Sequence, residues 1–183
     1  KDLNDIGQED IIIDVLTGVG IDNLSAPLLG ELGRAYNNND KPEEAIKVFK
    51  AIDKIHRDAV WYYRCAYSYG SMVSSNREAY TSENMQQMLA LVDNGVQLAT
   101  KEGRNDIREY CFEVMDMCRL QMDFETCEVD YPDLCLNYSK YIAEKKKKRE
   151  GVPRQRTITV EEILATDDMW TINEPAYWTI NIY

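Results

Sequence analysis

The residues that could perform acid–base chemistry in this sequence are a single histidine and many carboxylates, and none is well placed for it. The 183-residue chain contains one histidine, His56, near the end of a predicted helix, where a cation complements the helix dipole. Its carboxylate pairs, such as Glu161–Glu162 and Asp167–Asp168, are adjacent in sequence, and adjacent residues of a helix do not face each other. The sequence therefore predicts neither a catalytic acid–base pair nor a multi-histidine metal site.

Five cysteines are the other candidates for covalent or metal chemistry: Cys65, Cys111, Cys118, Cys127 and Cys135. Their number is odd and no two form a C-x-x-C pair, so neither a disulfide framework nor a zinc site is predicted. Cys65 falls at a predicted packing position, and Cys111 and Cys118 share one face of a predicted helix, so we expect buried, unreactive thiols. These patterns predict a protein that is not an enzyme and needs no metal or cofactor.

The expected location is the cytoplasm, because thiols without a disulfide pattern suit a reducing compartment. No stretch of the sequence is long and apolar enough to span a bilayer, so no membrane association is expected. The chain opens on Lys1 rather than Met, which leaves a removed signal peptide open as an alternative.

One helical pattern returns after 33 residues, as from Gly33 to Ala66. Leu29, Leu32, Gly33 and Tyr36 are followed by Ala45, Phe49 and Ile52, and the first part then returns as Tyr62, Cys65, Ala66 and Tyr69. Such self-similarity predicts pairs of amphipathic helices stacked as a solenoid. Gly33 and Ala45 would let two helices cross closely, and Phe49 would fill the space between them. Asp40 is the expected N-cap of the second helix.

The segment LLGELGRAYNNNDKPEEAIKVFKAID resembles a tetratricopeptide repeat. The resemblance implies a bacterial binding scaffold in which the first helix of each pair lines a concave groove. The groove positions that it implies here are Arg34, Asn37, Asn38, Tyr63 and Tyr67. An aromatic pair beside an arginine and amides suits a protein-binding surface. Two alternatives stay open: an ordinary helical hairpin, and tyrosines that pack beneath the next helix.

The predicted fold is all-α, a short solenoid of helical hairpins with a small extra C-terminal segment. We predict an N-terminal covering helix within residues 1–24, helical repeats over 25–150, a linker at 151–157, and a segment at 158–183 that could begin a truncated domain. The last repeat is expected to be degenerate, with one helix carrying Ile107 to Met122 and the next opened by Asp130 and Pro132. The pattern after residue 157 fits a short helix followed by a hairpin.

The net charge of −11 is unevenly distributed. Residues 145–156 hold seven basic residues against Glu150, so the rest of the chain carries −17. Such an acidic body repels nucleic acid, and direct nucleic-acid binding is not expected. The basic run follows an amphipathic segment and precedes Gly151, which favours a solvated helix end over a nucleic-acid patch.

Two shorter segments carry further resemblances. RDAVWYYRCAYSYG resembles the aromatic repeat of bacterial proteins that accompany polymorphic toxins as immunity proteins. WTINEPAYWTINIY is similar to the opening of a bacterial domain family of unknown function that is related to a DNA-mimic protein. In that family the segment would begin a helical domain.

Three functional hypotheses follow from the sequence. The first is a scaffold that binds a protein or peptide in its groove, as a toxin antagonist or regulator. The second is an acidic decoy that competes with nucleic acid for a basic protein. The third is the targeting module of an enzyme whose catalytic domain lies beyond this sequence.

Overall fold

The structure is a computed structural model that describes residues 2–76 and 78–150. Every regular element in these residues is a helix, so the predicted all-α fold is confirmed. The predicted linker at 151–157 and the C-terminal segment at 158–183 lie outside the described residues. Contacts among the described residues group those before Ile142 into one compact unit.

The helices are α1 (Asp2–Asp5), α2 (Glu9–Val19), α3 (Ala26–Asn38), α4 (Pro42–Lys50), α5 (Ala59–Ser75), α6 (Ser82–Glu102), α7 (Asn105–Met117), α8 (Phe124–Asp130) and α9 (Pro132–Glu150). Two short 3₁₀ turns, Ile21–Asn23 and Lys54–His56, connect α2 to α3 and α4 to α5. Among the helices described here, none combines the length and apolarity needed to cross a bilayer.

Helices that follow one another along the chain pack together, from α2 and α3 through to α6 and α7. In addition, α3 contacts α5, and α5 contacts α7, so the first helices of successive pairs are neighbours. This arrangement is compatible with the predicted solenoid of hairpins. It brings α3, α5 and α7 side by side, which is what positions the candidate site.

The packing of α3 on α4 depends on the predicted small residues. A Cβ atom at Gly33 would lie 2.6 Å from the Phe49 ring, closer than any carbon–carbon contact allows. Ala45 and Phe49 are both fully buried. The predicted close crossing at Gly33 and Ala45 is therefore confirmed, and its physical cause is the insertion of the Phe49 ring against a bare backbone.

Asp40 is not the N-cap of α4. It has a φ of 51° and lies just after α3, and Lys41 occupies the N-cap position without a side-chain cap. The amide of Lys41 donates to the Tyr36 carbonyl (2.9 Å), and the amide of Asp40 donates to the Asn37 carbonyl (3.4 Å). This bond pair is a Schellman motif, so Asp40 ends α3 in the left-handed conformation that aspartate tolerates better than most residues.

The last predicted helix pair is also different in the structure. α7 ends at Met117, so Met122 lies beyond it, although its side chain is buried. A short helix that the sequence analysis missed, α8, follows, and Asp130 is its last residue rather than the start of the next helix. Asp123 caps α8 by accepting bonds from two backbone amides. An aromatic cluster of Phe112, Phe124, Tyr138 and Tyr141 joins α7, α8 and α9.

Substitution of Asp40 by glycine tests its role. A glycine adopts positive φ without a steric penalty, so we expect Asp40→Gly to raise the free energy of unfolding by roughly 1 kcal/mol. Urea denaturation followed by circular dichroism measures the change. Asp40→Asn is the matched control and should be nearly neutral, because asparagine also tolerates this conformation. A destabilised glycine variant would indicate that Asp40 acts as an N-cap after all.

Candidate functional site

An open groove of about 620 Å³ runs across α3, α5 and α7. All five residues that the sequence analysis assigned to a groove line it: Arg34, Asn37 and Asn38 from α3, and Tyr63 and Tyr67 from α5. The sequence pattern thus brought together residues that do share one surface. Whether this surface binds a partner stays a prediction.

Three tyrosines form the aromatic part of the groove. The rings of Tyr63 and Tyr67 meet edge to face with centroids 6.4 Å apart, and Tyr63 lies 5.2 Å from the ring of Tyr110 on α7. Tyr63 and Tyr67 are half-buried, whereas Tyr110 is 43% exposed. Tyr63 therefore packs against the next helix pair, as one alternative predicted, and still faces the groove.

Tyr110 was missed as a groove residue because its spacing from Ile107 suggested a core position. Ile107, Cys111 and Met115 recur at intervals of four residues and are all buried. Tyr110 lies three residues from Ile107, at the edge of this stripe. Its position at the margin was the signal that could have placed it in the groove.

Asn37 is a structural residue of the groove wall. Its side chain is 9% exposed, its Nδ2 donates to the Arg64 carbonyl (3.0 Å), and its Oδ1 accepts from the Ser68 hydroxyl (2.7 Å). Both polar ends of the amide are therefore used to hold α3 against α5. The resemblance to a tetratricopeptide repeat correctly implied its location in the groove, but the side chain was expected to be available to a binding partner.

Arg34 and Asn38 are held by the N-terminal helices. A guanidinium nitrogen of Arg34 lies 2.7 Å from an Asp5 carboxylate oxygen. Asn38 Nδ2 donates to Glu9 Oε1 at 3.1 Å. These contacts fix α1 and α2 against α3 at one edge of the groove. The side chains of Arg34 and Asn38, which were predicted to contact a partner, are therefore already oriented by other residues of the protein.

Glu31 links three helices beside the groove. It accepts a 2.9 Å hydrogen bond from Asn4 on α1, and its carboxylate lies 3.5 Å from the Arg64 guanidinium on α5. Burial by itself would raise the pKa of Glu31, but the Asn4 hydrogen bond and the charges of Arg64 and Arg34 together hold this pKa below its usual value. The carboxylate is therefore ionised at neutral pH.

The charges of the groove nearly cancel. At its far edge Arg104 makes two hydrogen bonds to Asp106, at 2.9 and 3.0 Å, and Arg34 pairs with Asp5. The hydrogen bonds between Arg104 and Asp106 lower the pKa of Asp106. A locally balanced groove in a chain of net charge −11 offers aromatic area and oriented polar groups rather than a strong field.

The single histidine is placed differently from its prediction. His56 lies exposed in the 3₁₀ turn Lys54–His56, whereas α4 ends at Lys50, six residues earlier. It therefore does not complement the dipole of α4. Among the described residues, no three histidine, cysteine or acidic side chains are grouped as metal ligands.

The five cysteines are buried and unpaired by disulfides, as expected for core residues. Burial raises the pKa of Cys65, Cys111 and Cys127 to about 12 and that of Cys118 to about 11. The sulfur atoms of Cys127 and Cys135 lie 2.7 Å apart between α8 and α9, and this contact further raises the pKa of Cys127. None of the four thiols with a raised pKa has the depressed value of a nucleophile.

The thiols should react slowly while the protein is folded. Raising a thiol pKa from 9.0 to about 12 lowers the thiolate fraction near pH 8 about 1000-fold. Reaction with an aromatic disulfide reagent, followed by absorbance, should therefore be much slower for the folded chain than for the chain in urea. One rapidly labelled cysteine, located by peptide mass spectrometry, would reveal an activated thiol and contradict this account.

The Glu31 contacts should make stability depend on pH. Because the folded pKa lies below the usual 4.5, their contribution is present above that pH and is lost as the pH falls through the folded pKa. We expect Glu31→Gln to cost about 1 kcal/mol at pH 7, allowing for solvent screening, and less at pH 3. Urea titrations at both values measure this. Asp53→Asn, an exposed substitution, is the control, and an equal loss at both pH values would contradict the assignment.

Comparison of the chain with protein-family models, with curated proteins and with solved structures gave no match. The resemblances to tetratricopeptide repeats, to immunity proteins and to the DNA-mimic-related family therefore stay predictions. The geometry of the groove is the basis on which a function can be proposed.

Proposed function

We propose that this chain is a protein-interaction scaffold that binds a peptide or protein segment in the groove across α3, α5 and α7. The observation that carries the proposal is the cluster of Tyr63, Tyr67 and Tyr110, whose rings lie together in an open groove. Tyrosine supplies large contact area and a hydroxyl group while losing little side-chain entropy on binding.

Internal contacts of the groove support this function by orienting its side chains in advance. Asn37 is fixed by Ser68 and the Arg64 backbone, and Arg34 is fixed by Asp5. A surface whose side chains are already ordered loses less entropy when a partner binds. The groove therefore has the character of a preformed receptor.

The charge balance favours the scaffold over the acidic decoy. In a decoy, carboxylates would provide the affinity, which would fall steeply with salt. Here the groove carboxylates Asp5 and Asp106 are each paired with an arginine. Affinity from aromatic contact would change much less between low and physiological salt.

The biological role that we propose is antagonism or regulation of a bacterial protein partner in the cytoplasm, without catalysis. The free, buried cysteines support a reducing compartment. The aromatic repeat around Trp61 supports a role like that of toxin-immunity proteins. An antagonist of this kind would act by covering a surface of its target.

Selection from a random-peptide display library, using the intact chain as bait, tests the groove directly. For an enriched peptide we expect Tyr67→Ala and Tyr110→Ala each to weaken binding at least about tenfold, because central aromatic residues dominate such interfaces. Fluorescence anisotropy measures the dissociation constants, at low and at physiological salt.

Tyr80→Ala is the matched control, because Tyr80 is 49% exposed, close to the 43% of Tyr110, and lies outside the groove. It should leave affinity unchanged. Equal losses for Tyr80→Ala and the groove variants would contradict the assignment. A steep loss of affinity in salt, with no effect of the tyrosines, would favour the decoy.

A further inference from the structure

The N-terminal helices carry a second surface whose chemistry differs from that of the tyrosine groove. Seven of the thirteen large apolar side chains exposed among the described residues lie before residue 29. They are Leu3, Ile6, Ile11, Val15, Val19, Ile21 and Leu28. Such a concentration is unusual on a protein surface and is typical of an interaction site.

Four of these seven side chains border a groove of about 200 Å³ between α1, α2 and α3: Leu3, Ile11, Val15 and Leu28. It is lined by Leu3, Ile11, Ile12, Val15, Leu16, Leu28 and Glu31, so a single polar residue contributes to it. None of these residues lines the tyrosine groove. The two surfaces can therefore be changed by separate substitutions.

The outward face of α2 does not have the character of an end cap. A helix that closes a solenoid presents a polar outer face. In α2, by contrast, Ile12 is the buried apolar residue. Ile11, Val15 and Val19 are 46, 58 and 49% exposed. These three recur at intervals of four residues and form a stripe about 12 Å long. A stripe of this spacing and length matches the apolar face of another helix.

The charges around the stripe select the partner. Between residues 3 and 33 the chain has six acidic residues and no lysine or arginine. Asp5 and Glu31 are paired with arginines of α3 and α5. The negative charge that remains near the stripe comes from Glu9, Asp10, Asp14 and Asp22. Asp14 is exposed next to Val15 on α2. A second copy of the chain that presented this same face would bring the same acidic charge to the contact and be repelled, whereas a helix flanked by lysine or arginine would be attracted.

We propose that the apolar groove of α1, α2 and α3 is a docking site for a basic amphipathic helix of a partner protein. The apolar face of that helix covers Ile11, Val15 and Leu28, and its basic residues lie beside the acidic residues of α2. This site is separate from the tyrosine groove, so the chain can hold two partners, or two segments of one partner, at once.

Binding of designed peptides tests the proposal. The probe is an 18-residue amphipathic helix of leucine and lysine, about five turns, and the control peptide replaces lysine by glutamate. Fluorescence anisotropy with the full chain should show binding of the leucine–lysine peptide and at least about tenfold weaker binding of the leucine–glutamate peptide.

Two double variants locate the site. Ile11→Gln with Val15→Gln should weaken the leucine–lysine peptide at least about tenfold, while Val129→Gln with Leu136→Gln, exposed apolar residues elsewhere, should have no effect. Asp14→Lys should weaken the lysine peptide and improve binding of the glutamate peptide. Circular dichroism confirms that helicity is unchanged in each variant.

Several results would overturn the proposal. Equal affinity in both double variants would show that the peptide binds the acidic surface without using the groove. Equal binding of the two peptides would show that charge does not select the partner. Lack of binding by either peptide would mean that the groove accepts no such helix. Self-association in sedimentation experiments that is lost in the Ile11→Gln, Val15→Gln variant would assign the surface to a second copy.

Discussion

The close approach of neighbouring helices at three glycines is the constraint on which this structure depends. A Cβ atom would lie 2.6 Å from Phe49 at Gly33, 2.6 Å from Met117 at Gly70 and 2.9 Å from Cys111 at Gly95. No larger residue fits at these crossings without movement of a neighbouring side chain. Gly33 brings α4 against α3, Gly70 brings α7 against α5, and Gly95 brings α6 against both α5 and α7. Because α5 and α7 thereby lie side by side, the rings of Tyr63 and Tyr110 come within contact distance.

The two candidate surfaces differ in how their polar groups are bonded and in which apolar groups they expose. Around the tyrosine groove, the polar side chains of Asn37, Arg34 and Arg104 each bond to other residues of the same chain. The aromatic rings are therefore the groups that remain able to contact a partner. The surface of α2 differs, because there the exposed apolar side chains, Ile11 and Val15, lie beside acidic residues. The first surface offers a preformed, nearly neutral groove, and the second an apolar stripe with an acidic surround.

Residue spacing predicted most of the helices, although not α8, and the packing at Gly33. The membership of the groove, including Tyr63, was implied by the resemblance to a tetratricopeptide repeat. The role of Asn37 was not predicted, since it depends on Ser68, 31 residues away. Asp40 was misjudged because aspartate is favoured both at N-caps and in the left-handed conformation, and only the backbone geometry decides between them.

The proposed function requires that Tyr63, Tyr67 and Tyr110 form a preformed surface that a partner covers. Hydroxyl-radical footprinting with mass spectrometry, on the free chain and on its complex with a peptide from the library selection, tests this requirement. We expect oxidation of the groove tyrosines to fall on binding while that of Tyr80 is unchanged. Protection elsewhere with no change in the groove would contradict it.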